Sequence, residues 1–418
     1  MENASKDNVS RWCLVSMASI PLIMTLGNSM LIPVLPIFEE KVGISSFQSS
    51  LIITSYSLAA IFLIPIAGYL SDRFGRKVVI LPSLILTLIG GLIAAFASWK
   101  MGNPFLWIMT GRVLQGIGAA GATPIVLPLV GDLYKDDDTK TSSCMGIIET
   151  SNTFGKVLSP ILGSALAAFL WFLPFFSISV FSFISIILVF FFIKVPKDTK
   201  EKPVKLSMFL KKTKKIFGQE GKWLYPIFLI GVYVMLILFG VLFFLSENLE
   251  KIHDIHGVKK GFILAVPLLF LCISSFITGK KIKDNVKTMK KVILIFLLLS
   301  SISVLFVGYV NEKVILMLII VSLLGIGIGA LLPTLDAMIT EGIEKEERGT
   351  ISSFYSSSRF IGVAAGPPVM SLVMDKFVNL SYLAAGIMGG ILFLVAMKCI
   401  KKDDTEKQTK HTPVPEST

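Results

Sequence analysis

Twelve apolar stretches, each close to the ~20 residues that cross a bilayer as a helix, run through this 418-residue chain. They fall at about 12–36, 47–70, 78–98, 105–130, 142–168, 171–193, 222–246, 259–279, 290–309, 314–339, 350–374 and 379–399. Few folds are open to such a chain. In lipid, every backbone N–H and C=O must find its partner inside the protein, so the stretches become helices. Composition agrees: 53% of residues are apolar, 16% are charged and the mean hydropathy is +0.76. That is more apolar surface than a water-soluble fold hides. The expected class is an all-α polytopic membrane protein with twelve transmembrane helices.

The net charge of +12 would suit nucleic acid if the bases were pooled on one face. They sit instead in the loops. With both termini in the cytoplasm, cytoplasmic segments hold 30 of the 40 Lys and Arg, outer loops hold seven, and Arg112, Lys156 and Arg359 lie within spans. That asymmetry predicts the orientation and a multi-pass bacterial plasma-membrane protein, with no nucleic-acid partner. Cys13, Cys144, Cys272 and Cys399 stand far apart without CxxC spacing, so neither a disulfide framework nor a metal site is expected. His253 and His256 read as solvated loop residues. The first stretch lacks a small-residue cleavage site behind it and reads as a retained span.

The longest loop divides the spans six and six. The expected domains are an N-terminal six-helix bundle (1–193), a basic cytoplasmic linker (194–221), a C-terminal six-helix bundle (222–400) and a disordered tail (401–418). Within the linker, residues 206–217 suit either a basic amphipathic helix on the inner leaflet or a solvated segment. The halves are related. Gly116, Gly118, Pro124 and Asp132 recur 209 residues on as Gly325, Gly327, Pro333 and Glu341. Gly155 and Pro160 recur 207 residues on as Gly362 and Pro367. Two pseudo-symmetric six-helix bundles suit a transporter that rocks about a midplane site.

Four strings stand out. Gly68-Tyr-Leu-Ser-Asp72-Arg73-Phe-Gly75-Arg76-Lys77 joins the second and third spans as a tight, charged turn. Leu26-Gly27-x5-Pro33-Val-Leu-Pro36 ends the first span, where paired prolines free backbone carbonyls. Arg112-Val-Leu-Gln115-Gly116-Ile-Gly118-Ala-Ala120 places an arginine inside the fourth span, at a cost of about 2.5–3.5 kcal/mol on insertion scales. Such a residue faces a cavity or is hydrogen-bonded to carbonyls. Gly146-x8-Gly155-x3-Ser159-Pro160-x2-Gly163-Ser164 makes the fifth span a small-residue face for close helix contact.

These strings resemble those of the major facilitator superfamily, most closely its bacterial twelve-span drug:proton antiporters. The fifth-span string departs from the antiporter pattern at Ser159 and Ser164, which stand at glycine positions; Gly362-x3-Gly366-Pro367 compensates in part. The resemblance implies the major facilitator fold, with Gly68, Asp72, Arg73, Gly75, Arg76 and Asp132 as a conformational latch. In that latch Asp72 bonds near the start of the eleventh span and Arg76 pairs with Asp132. The resemblance also links Arg112, with Gln115, to proton coupling.

For the proton carrier itself, the first span has no acid past its edge. Glu149 is the deepest carboxylate, with Lys156 on the same helical face about 10 Å along the axis, and Asp336 is the runner-up. The expected function is proton-coupled efflux of small lipophilic compounds by alternating access, without cofactors and as a monomer. The alternatives are a transporter of a specific metabolite, sugar, siderophore or lipid, and a non-transporting membrane sensor. A membrane enzyme is disfavoured because no clustered catalytic set appears. ATP as direct driver is disfavoured because no G-x4-G-K-[ST] string appears.

Overall fold

The computed structural model describes residues 11–134, 138–194, 206–282, 286–310, 312–343, 345–374 and 376–400. The described residues form thirteen α-helices and two short 3₁₀ turns, without strands. The first span is two helices, α1 (Arg11–Ser29) and α2 (Leu35–Val42), separated by a 3₁₀ turn at Ile32–Val34. Pro33 and Pro36 impose the break, since neither can donate to a carbonyl one turn earlier. Spans two to six are α3 (Ser46–Phe74), α4 (Arg76–Lys100), α5 (Phe105–Leu133), α6 (Asp138–Phe169) and α7 (Leu173–Phe192). The second half holds α8 (Leu206–Lys251), α9 (Gly257–Lys281), α10 (Val286–Val307), α11 (Val314–Gly342), α12 (Lys345–Val373) and α13 (Val378–Cys399).

Helix α8 alters one expectation. The 206–217 stretch, read as a surface helix or a solvated segment, is continuous with the seventh span. Its apolar side is used in packing: Ile216 is buried, and Phe217 meets Tyr225, Phe228 and Phe354. The remainder of the linker and the 401–418 tail lie outside the described residues.

Of the twelve spans, ten are apolar enough to cross a membrane by composition alone. The two others are α6 and α12, the fifth span of each half. Both pack across the molecule, α6 against α9 and α12 against α3. Serines, threonines and charges survive there because these faces meet protein rather than lipid. The outward faces of the apolar helices carry exposed Phe62, Leu106, Phe183 and Ile315, as a lipid-facing surface should.

The duplication is visible in the packing. A Cβ on Gly116 would strike the Tyr56 carbonyl oxygen of α3, and one on Gly325 would strike the Pro267 carbonyl oxygen of α9. Only glycine lets α5 and α11 approach so closely. Lysines repeat as well. Lys77 at the start of α4 donates to Phe190 O (2.8 Å) and Ile193 O (2.7 Å) at the end of α7. Lys290 near the start of α10 donates to Met397 O (2.8 Å) and Ile400 O (2.5 Å) at the end of α13. Each satisfies orphan C-terminal carbonyls and sits at the negative end of a helix dipole.

Candidate functional site

Arg112 is fully buried (0% exposed) in α5. Its guanidinium donates to Ile52 O (2.9 Å), Gly27 O (3.0 Å), Asn28 Oδ1 (3.0 Å) and Gln115 Oε1 (2.6 Å). Its Cζ lies 4.5 Å from the Tyr56 ring centroid. Two of these acceptors belong to the end of α1. The prolines break that helix, and Arg112 caps the broken end. The Gly27 and Arg112 strings are thus one device, and a Cβ on Gly27 would meet Ile178 at 3.4 Å.

The 68–77 turn lies at the same end of the molecule as the Lys77 cap, called here the basic side. Gly75 adopts φ +102°, a region open to glycine. Arg76 donates to Asp132 (3.0 Å) and to Ser71 (2.7 Å), and also pairs with Asp72. Arg73 lies beside Tyr69 and over the Phe74 ring. Gly68 faces Ser353 of α12, with 3.7 Å between its Cβ position and the Ser353 Cβ. Asp132, Ser71 and Asp72, which Arg76 holds, all belong to the first half.

Between the halves lie four charges. The Glu149 side chain is exposed on α6 and accepts from Asn152 Nδ2 (3.2 Å), whose Oδ1 in turn accepts from the Thr25 hydroxyl. Asp336 of α11 receives Arg359 of α12 at 3.2 Å on both carboxylate oxygens. Lys156 and Glu149 lie within electrostatic reach of that pair. Nothing stands within 4 Å of the Cβ position of Gly146. The inner stretch of α6 therefore borders open space on the basic side.

The far side is closed. Lys251 of α8 bridges to Glu39 of α2 (3.1 Å) and to Glu247 (2.5 Å), and Glu39 also accepts from Ser46 and Ser49. Ser246 donates to Ile32 O (3.1 Å) at the break in the first span. Buried Lys260 pairs with Glu250. In the adjoining loop, a hydrogen bond with Asp254 holds the His256 imidazole above its usual pKa range. Pro160 and Ser164 of α6 abut Gly261 of α9, while Gly155 and Gly163 lean on Leu22 of α1 and on Met30 just past its end. Gly362 packs on Val232 and Leu236 of α8, and Pro367 lies one turn beyond it in α12. Sequence reasoning missed this far-side cluster. Its signal was Ser246-Glu-Asn-Leu-Glu-Lys251, an ionic run closing an otherwise apolar span.

A cavity of about 20 Å³ sits between the halves, lined by Pro33 and Ser29 of the first span, Lys156 and Pro160 of α6, and leucines of α8 and α9. Two related bundles, a broken first span and a site between them describe one architecture, and the sequence profile of the Major Facilitator Superfamily matches residues 17–320 and 261–416. The chain belongs to the major facilitator superfamily. Its helices superpose on the crystal structure of a D-xylose-proton symporter with a TM-score of 0.78 at 13% identity, covering 93% of this chain and 98% of that one. The chain is 52% identical over 396 residues to the "Bacillibactin exporter" of Bacillus subtilis, covering 94% of this chain and 98% of the relative. It is 25% identical to the "Multidrug efflux protein YfmO" of the same organism, with 90% of each chain covered. This major facilitator protein is a multi-pass membrane transporter of small molecules, and not an enzyme.

Proposed function

We propose that this transporter exports a siderophore from the cytoplasm by alternating access, with protons moving inward. The observation that carries the reading is the 52% identity, sustained along nearly the whole chain, to a bacillibactin exporter. Export of lipophilic drugs is the second reading, supported at 25% identity. The basic side is the cytoplasmic side, which places both termini inside. In this reading Lys251, Glu39 and Ser246 hold the two halves together on the outer face.

In this reading the Arg76–Asp132 and Arg76–Asp72 pairs, with Gly68 against α12, form the inner latch. The latch tightens when the outer side opens, a two-state element that cargo and protons bias. A single chain carries both bundles, so the monomer suffices. Glu149 is the proton carrier: its side chain is exposed, bonded to one amide and within electrostatic reach of Asp336 and Arg359 of the other half. Asp336 is less suited because Arg359 already holds both its oxygens. Arg112, hydrogen-bonded on all sides, acts on coupling through the shape of the first span.

The test uses purified protein in liposomes with a pH-sensitive dye inside and an imposed pH gradient. Bacillibactin is expected to drive proton movement, and a panel of lipophilic cations is not. Proton movement with the cations alone overturns the siderophore reading in favour of the second. Glu149→Gln is expected to abolish the dye response while leaving the protein monodisperse and its melting temperature unchanged, since the carboxylate makes one exposed hydrogen bond. A pH-dependent response retained in that variant removes Glu149 as carrier.

A further inference from the structure

Three cations lie within the spans, and the structure matches two of them. Arg112 is met by four acceptors, and Arg359 by both oxygens of Asp336. Lys156 makes no hydrogen bond and no ion pair among the described residues. Glu149 is seven residues away on the same helix, too far for contact, and is bonded to Asn152. Lys156 nevertheless lines the cavity between the halves. Apart from Ser29, every other residue of that lining is apolar, and Leu238, Phe239 and Leu242 come from the opposite bundle.

An ammonium held in largely apolar surroundings with no counter-ion in contact costs several kcal/mol, and Glu149 and Asp336 act on Lys156 only from a distance. The cavity above Lys156 is now only about 20 Å³, room for roughly one water. Ile32 and Pro33, at the break of the first span, line the same cavity.

We infer that Lys156 is the counter-ion for the cargo: the site takes an organic anion, with a charged oxygen on Lys156 and an apolar body against Leu238, Phe239 and Leu242. This rests on the transport reading above and adds the charge of the substrate to it. The anion would neutralise the half-buried cation at the place where both halves and the first-span break converge. Filling that place favours closure of the halves around it, since the paired state loses the desolvation penalty that the empty state carries. Lys156 is thus a specificity residue, distinct in role from Glu149.

The test measures binding to full-length protein in nanodiscs, using 2-naphthoate and its neutral isostere 2-naphthamide as probes, for wild type, Lys156→Met and Lys156→Arg. Wild type is expected to bind the carboxylate about tenfold more tightly than the amide, a difference of about 1.4 kcal/mol. Lys156→Met is expected to erase the difference while leaving amide binding unchanged, and Lys156→Arg to keep most of it. Unchanged amide binding also reports that the methionine variant is folded. Equal binding of the two probes by wild type, discrimination that survives in Lys156→Met, or failure of wild type to bind either probe overturns the inference. Charge discrimination without any bacillibactin-driven transport in liposomes would leave Lys156 as an anion site and remove the siderophore reading instead.

Discussion

Arg112→Lys is expected to abolish transport and to lower the thermal unfolding midpoint of detergent-solubilised protein by several degrees. The guanidinium serves four acceptors in a fixed fork: Ile52 O, Gly27 O, Asn28 Oδ1 and Gln115 Oε1. An ammonium has three donors and cannot span that geometry, so at least one buried acceptor is left bare. Each hydrogen bond from a charged donor contributes about 1.5–3 kcal/mol, and Arg112→Ala, which strands all four acceptors, should cost more than the lysine variant. Arg112 holds the end of α1 beside the proline break, so the damage extends to Pro33 and the cavity. The measurement is fluorescence-detected melting beside liposome transport. A lysine variant with wild-type melting and transport would show that the cap is dispensable and that charge alone matters.

Gly261→Leu is expected to prevent closure of the far side. In the described arrangement a side chain there would collide with the Pro160 carbonyl oxygen and Ser164 of α6, in the opposite bundle. Overpacking costs about 1–3 kcal/mol, and that cost falls only on the state in which the two helices touch. Spin labels at Lys41 and Lys259, exposed positions on the far side of the two halves, should therefore report a longer distance in the variant, with transport lost. Gly163→Leu is the contrast. Its side chain would meet Met30 within the same half, so it should lower the melting temperature without lengthening the spin-label distance. Equal distances in wild type and Gly261→Leu would mean that the α6–α9 contact does not set the equilibrium.

Much of the fold was legible because lipid imposes a strict rule on the chain. Ten spans could be found by hydropathy alone, and the repeated glycines and prolines disclosed the two halves. The fifth and eleventh spans were drawn as apolar stretches with the rest, although their apolar character is thinner than that of the other ten. The candidate site was legible in part. Arg112, Arg76 and Glu149 announced themselves as charges in or beside apolar runs. What they touch did not follow from spacing. Glu39 and Lys251 are 212 residues apart, and nothing local shows that they meet. Likewise, nothing in the spacing shows that Asp336, the runner-up carrier, receives Arg359 of α12.

The two spans of low hydropathy also bear on how the chain enters the membrane. Insertion of a helix is decided largely by its own apolar character, and α6 and α12 fall short where their ten companions do not. When α6 leaves the ribosome, α1 is already present to cover part of it, but α9, its partner in the other half, has yet to be made. When α12 emerges, both α8 and α3 are waiting. The first half must therefore hold a half-covered polar helix in reserve until the second half arrives, so the two bundles are unequal during synthesis however alike they become. A chain that stops after α7 should be unstable and prone to degradation, for want of a surface against which α6 can finish folding.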